Sequence, residues 1–157
     1  MIKELEFYEK LGATMEGIDR PFFLIGIISE FANRMQTKGD VFFEEISWKQ
    51  CFLLICMNMM ITPPTIGELA EVAGSSHQNV KQMLLKLSRL GFVTLTDDPH
   101  DRRKQRAAMT DKAIAFLKKY DQPSKEFVEQ LFDGITPEQL EVTVLTLLKL
   151  DANLHKI

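Results

Sequence analysis

Apolar residues recur three and four apart along most of this chain, and the breaks in that rhythm divide it into helices. The first begins after Asp19, a capping residue, with Pro21 in its first turn, and runs through FFLIGIISEFANRMQTK to a stop at Gly39. Phe23, Ile27, Ile28 and Phe31 stand at helical spacing, yet Phe22, Leu24 and Ile25 are apolar too, so this helix should be buried on more than one side. A second helix spans Ser47 to about Met60 and ends at Thr62-Pro63-Pro64, because a residue before proline avoids the helical region. In TIGELAEVAG, Thr65 and Glu68 form a capping box, and Gly74 ends a short helix. A third helix follows from a Ser76 cap to Gly91, with Val80, Met83, Leu84 and Leu87 as its apolar stripe.

Past Gly91 the period changes. Phe92–Thr96 and Arg106–Thr110 are β-prone runs around the polar stretch Asp97–Gln105, a hairpin whose loop is too long for a tight turn. Thr110 caps the next helix, which Pro123 must kink or divide and Gly134 ends. Thr136, Pro137 and Gln139 open the last helix as cap, first residue and capping-box partner, ahead of the stripe Leu140, Val144, Leu147, Leu148 and Leu154. The predicted fold class is mainly α with a short β-hairpin (α+β), in the order helix, helix, helix-turn-helix, hairpin, helix, helix.

At 157 residues the chain can hold one sizeable core, or a small domain and an assembly element. No apolar run reaches the roughly eighteen residues of a membrane span, and MIKELEFYEK lacks the apolar stretch of a secretory signal. The expectation is a cytoplasmic protein with no membrane partner. Cys51 and Cys56 lie in an apolar helix at a spacing that does not set up a mutual disulfide, and read as two small buried residues, with a redox-sensing thiol as the alternative. His77, His100 and His155 fit no metal-ligand spacing. No nucleophile–base pair or Gly-rich phosphate loop is present either. The expectation is therefore no metal, no cofactor, no catalytic residues and no enzyme activity.

Charge changes the picture more than composition does. The chain carries −3 overall, but from Thr62 to Lys119 ten Lys and Arg face six Asp and Glu, a net +4 that leaves −7 for the remainder. A basic middle on an acidic frame suits a module that meets nucleic acid. Within it, Ala70, Gly74 and Val80 supply what two crossing helices need: a small residue at the crossing, glycine in the turn, and a branched residue buried in the second helix. With that helix's stripe turned inward, Gln78, Gln82 and Arg89 project outward, flanked by Asn79, Lys81 and Lys86, with His77 at the leading end. Leu85 also projects outward, toward a thymine methyl or the underside of the hairpin. No acidic residue occurs from His77 to Phe92. Base-edge contacts are expected from His77, Gln78, Asn79, Lys81 and Gln82, and phosphate contacts from Ser75, Ser76, Lys86 and Lys104. In the hairpin, Asp101, Arg102, Arg103, Lys104 and Arg106 are the expected DNA-binding residues. Arg102 or Arg103 at its tip can enter a narrow minor groove, while Asp101 holds an arginine in a forked salt bridge.

The stretch from Thr65 to Ala113, and above all DPHDRRKQRAAMTDKA, resembles the winged helix-turn-helix of MarR-type transcriptional regulators, with Asp101 and Arg103 in the D-x-R positions of the wing. The long first helix and LFDGITPEQLEVTVLTLLKL extend the resemblance over nearly the whole chain. It implies one domain over 1–157, with a winged core at about 47–119 and dimerisation helices at about 19–38 and 111–157. It further implies a homodimer with interlocked terminal helices on a palindromic operator of double-stranded DNA, released in many members by a small-molecule effector. Two features depart from the pattern. Thiol sensors of the family carry their reactive Cys in the first helix, where this chain has none, and Pro123 interrupts a helix that is usually continuous.

The residues argue for a dimer on their own account, since the first and last helices are more apolar than one small winged domain can hide. Two recognition helices would then stand about one DNA turn, roughly 34 Å, apart. Phe22, Ile25, Phe52, Ile55, Met59 and Phe116 could bound a pocket for a flat apolar or phenolic anion, or form plain core. The alternative function is a winged-helix interaction module whose basic face docks an acidic protein.

Overall fold

The computed structural model describes residues 17–157; the MIKELEFYEK segment lies outside them. The chain divides between Met109 and Thr110, at the end of the hairpin, into two compact units.

The first unit contains α1 (Arg20–Phe42), α2 (Trp48–Met59), α3 (Ile66–Val72), α4 (His77–Arg89), β1 (Val93–Asp97) and β2 (Gln105–Met109). Its core is a layer of α2, α3, α4 and the hairpin, in which Leu53, Leu54, Leu69, Val80, Leu84, Leu87 and Phe92 are fully buried. Ser47 caps α2 with an unforeseen box: its hydroxyl accepts from Gln50 N–H, and Gln50 Oε1 accepts from Ser47 N–H at 2.9 Å.

Two expectations for α1 fail. Gly39 does not stop the helix, which continues to Phe42, where Phe43 N–H closes on the Gly39 carbonyl at 3.1 Å. Glycine serves close approach here: a Cβ on Gly39 would lie 2.7 Å from Trp48 Cδ2. Nor is α1 buried on several sides. Gly39 is its one buried residue, while Phe22, Ile25 and Phe31 are exposed.

The hairpin pairs antiparallel from Val93↔Met109 to Asp97↔Gln105, one residue further toward the tip on each strand than the β-prone runs suggested. Residues 63–65 lie beside β2, with Ala107 N–H donating to the Pro64 carbonyl at 2.9 Å and a single bridge from Thr65 to Arg106.

The second unit contains α5 (Asp111–Leu131), capped by Thr110, and α6 (Pro137–Leu154), capped by a Thr136–Gln139 box. Helix α5 passes Pro123 undivided. No residue of α6 is buried, and its stripe from Leu140 to Leu154 is exposed. Among the described residues no helix is long and apolar enough to cross a membrane.

Candidate nucleic-acid interface

Helix α3 is only seven residues long and depends on its start. Thr65 N–H and Oγ1–H both donate to Glu68 Oε2, at 2.7 and 2.9 Å, and Glu68 N–H donates back to Thr65 Oγ1 at 3.2 Å. The Thr65 N–H, then its hydroxyl, hold the Glu68 carboxyl below its usual range. Gly74 turns the chain at φ +58°, and Ser76 Oγ caps α4 by accepting from Asn79 N–H at 3.2 Å. From there the apolar stripe decides the rest. Val80, Leu84 and Leu87 go inward, which leaves His77, Gln78, Asn79, Lys81, Gln82 and Lys86 exposed on one flank with Ser76. Leu85 is half-buried. Ser75 is half-buried and accepts a hydrogen bond from Asn79 Nδ2 at 2.9 Å, so these two side chains position each other.

The hairpin loop holds its arginines differently. Arg103 makes the forked pair with Asp101, Nε to Oδ1 at 3.0 Å and Nη2 to Oδ2 at 3.2 Å, yet its side chain remains 90% exposed. That pairing lowers the Asp101 pKa and raises that of Arg103. Arg102 and Lys104 are exposed. Arg106 is turned inward: its Nε donates to Asp98 Oδ2 at 2.5 Å and Nη1 to the Pro63 carbonyl at 2.7 Å. Asp98 is nearly inaccessible, and the His100 N–H, followed by the Asp101 N–H and Arg106, keeps its carboxyl below the ordinary aspartate range.

Asp98 is the residue that sequence reasoning missed. Its signal was the spacing in DPHD, where an aspartate side chain can accept from N–H groups two and three residues on. The wing, the leading end of α4 and the first turn of α3 enclose a cleft of about 550 Å3. Lys81, Arg103 and Lys104 line it, and its three carboxylates, Glu68, Asp98 and Asp101, are all internally bonded.

Phe52 lines a separate cleft of about 510 Å3 with Phe31, Met35, Trp48, Met83 and the turn at Gly74. Ile25, Ile55, Met59 and Phe22 are exposed and lie outside that lining. Phe116 belongs to the second unit, where its ring packs on Tyr120 at 4.7 Å. Cys51 and Cys56 are free and buried, with burial pushing the Cys51 thiol up to about 11 and raising that of Cys56. Among the described residues no group of His, Cys, Asp or Glu is arranged to hold a metal ion.

A capped short helix, a glycine turn, a second helix with a polar outer flank and a hairpin behind it define a winged helix-turn-helix. The MarR family model matches residues 56–104, from the end of α2 through the helix-turn-helix to the wing. The fold agrees along the chain. A MarR protein from Peptoclostridium difficile is 18% identical and superposes with a TM-score of 0.80, covering 92% of this chain and 94% of its own. Sco3205, a MarR family transcriptional regulator from Streptomyces coelicolor solved in complex with DNA, is 22% identical at a TM-score of 0.71, with 83% and 84% covered. BpsR of Bordetella bronchiseptica, whose DNA binding is regulated by 6-hydroxynicotinic acid, is 15% identical at 0.64, with 79% and 98% covered. The resemblance drawn from the wing motif thus holds: residues 56–104 match the MarR family, and the described chain has the MarR fold.

Proposed function

We propose that this chain is a sequence-specific DNA-binding transcriptional repressor, acting in the cytoplasm as a homodimer on a palindromic operator. The observation that carries this reading is the single exposed flank from Ser76 to Lys86. It presents polar and basic side chains and no acid, beside a wing whose Asp98 and Asp101 are bonded internally. His77, Gln78, Asn79, Lys81 and Gln82 read base edges; Ser75, Ser76, Lys86 and Lys104 meet phosphates. Arg102 and Arg103 reach the minor groove beside each half-site. The dimer is supported by the uncovered apolar faces of α1 and α6, whose Phe22, Ile25, Leu148 and Leu154 need a partner surface. A small aromatic or phenolic effector would enter the cleft at Phe52, which touches the helix-turn-helix turn directly. It acts only through unequal affinity for the DNA-competent and incompetent states.

The test is fluorescence anisotropy with duplex DNA from upstream of the chain's own gene, titrated with salt and with heparin as competitor. Affinity should fall with a log–log slope of about −0.9 per neutralised phosphate. Arg103→Ala should weaken binding and relax the A·T preference beside each half-site. Salt-insensitive association, or unchanged affinity of that variant, contradicts the reading. Light scattering should give the mass of two chains.

A further inference from the structure

We propose that Asp98 and Arg106 form a latch that sets the pose of the wing, so that Arg106 is a positioning residue and not a DNA contact. The inference rests on the DNA-binding reading above. The two wing arginines in ion pairs are used in opposite ways: the Arg103 side chain is 90% exposed, whereas that of Arg106 is 27% exposed and the Asp98 side chain only 4%. A carboxylate withdrawn so far from water costs free energy unless donors satisfy it. Asp98 has three: His100 N–H at 2.8 Å and Asp101 N–H at 2.9 Å on Oδ1, and Arg106 Nε at 2.5 Å on Oδ2.

Each donor ties a different part of the fold. Arg106 continues to the Pro63 carbonyl at 2.7 Å, which joins the wing to the segment that leads into α3. The Asp101 N–H bond fixes the residue that forks Arg103, so Asp98 stands behind the exposed guanidinium at one remove. Asp98 N–H donates to the Lys104 carbonyl at 2.9 Å and Lys104 N–H to the Asp101 carbonyl at 2.8 Å, which closes the loop tip on the same framework. The latch therefore fixes where Arg103 sits relative to α4, and with it the step of DNA that the wing can read.

Charge alone predicts the opposite outcome from the latch. Asp98→Asn removes a negative charge beside the DNA, and long-range attraction would then tighten binding. The latch predicts loss of reading. We would measure anisotropy on two duplexes with identical half-sites and either A·T or G·C steps under the wing, for wild type, Asp98→Asn, Arg106→Gln and the double variant. Wild type should favour the A·T duplex by about tenfold, the scale of one well-made base-pair preference. Each single variant should bring that ratio close to one, and the double variant should lose no more than the worse single, because both break one device. Additive losses would make Arg106 a DNA contact and overturn the proposal, as would tighter A·T binding by Asp98→Asn. Amide exchange in DNA-free protein gives an independent arm: the His100 and Asp101 N–H groups should exchange faster in Asp98→Asn, with Leu84 unaffected. Unchanged exchange there refutes the latch even if a variant binds poorly. Wild type that binds neither duplex overturns the DNA reading and the inference together; a wild-type ratio untouched by the variants overturns the inference alone.

Discussion

Alanine at Gly39 sets two known effects against each other. In a helix interior Gly→Ala ordinarily stabilises by about 1 kcal/mol through backbone entropy and propensity. Here the added methyl would stand 2.7 Å from Trp48 Cδ2 and 2.8 Å from Trp48 Cβ, well inside the roughly 3.5–4.0 Å of ordinary carbon contacts. The indole cannot simply retreat. It stacks on buried Phe43, with ring centroids 6.1 Å apart and planes at 20°. The Trp48 backbone N–H also donates to Asp40 Oδ1 at 2.7 Å, which holds the main chain beside the Ser47–Gln50 box. Overpacking at so confined a place costs about 1–3 kcal/mol, so the net expectation is a loss of about 1 kcal/mol. For a chain of this size that lowers the thermal midpoint by roughly 2–4 °C. Calorimetry reads the midpoint, and emission from Trp48, the sole tryptophan, reports the contact itself. A Trp48→Leu background removes the ring atoms but keeps the Cβ at 2.8 Å, so the loss caused by Gly39→Ala should shrink there without vanishing. A raised midpoint in the native background would show that helix propensity wins and that α1 and α2 do not approach so closely.

Three further outcomes follow from local geometry. Thr65→Ala and Thr136→Ala should each cost about 1 kcal/mol in urea unfolding, the usual worth of a helix cap, and Thr65→Ala should also weaken DNA binding, because α3 is short; no change in either property would contradict this. Asp98 and Asp101 titrate below their unfolded value of about 3.9, so the stability they add is complete above that pH and is lost as pH falls through the lowered folded values. Protection of the His100 and Asp101 amides, corrected for intrinsic exchange, should therefore persist to about pH 4 and fail below it; loss between pH 6 and 8 would count against the assignment. Cys51 and Cys56 should react slowly with iodoacetamide at pH 8 and fast in urea, since burial keeps both as thiols.

Much of the fold could be read because its signals act over three or four residues. Ser47, Thr65, Ser76, Thr110 and Thr136 all cap the helices they were expected to start, since a cap needs only the residues of its own first turn. The outer flank of α4 was equally legible: once Val80, Leu84 and Leu87 point inward, geometry leaves His77 through Lys86 no other side. Gly39 misled because its reason lies in the ring of Trp48, across a turn, where no helical period reaches. Arg106 is a similar case: its partners Asp98 and Pro63 meet it only after the hairpin and the segment before α3 come together. The spread of Phe22, Ile25, Phe52 and Met59 shows a further limit. An apolar pattern says that a surface must be covered, and leaves open whether the same chain or a second copy covers it.

Such a charge distribution also bears on how selective the proposed regulator would be. Non-specific affinity grows with the number of phosphates neutralised, and this chain limits that number. Arg106 is turned inward, Arg103 is partly neutralised by Asp101, and the chain outside Thr62–Lys119 carries a net −7. Lys81, Lys86, Arg89, Arg102 and Lys104 are left as exposed cations on the helix and wing. One half-site so lightly held by charge would be weak on any sequence, and base-edge contacts by Gln78 and Gln82 would carry a large share of what affinity it has. Joining two such half-sites through the apolar faces of α1 and α6 raises binding to a correctly spaced operator far more than to random DNA, because the second site then binds at high effective concentration. On this reading the uncovered helices and the thinly charged wing are one device: dimerisation supplies the affinity that the reading surface withholds.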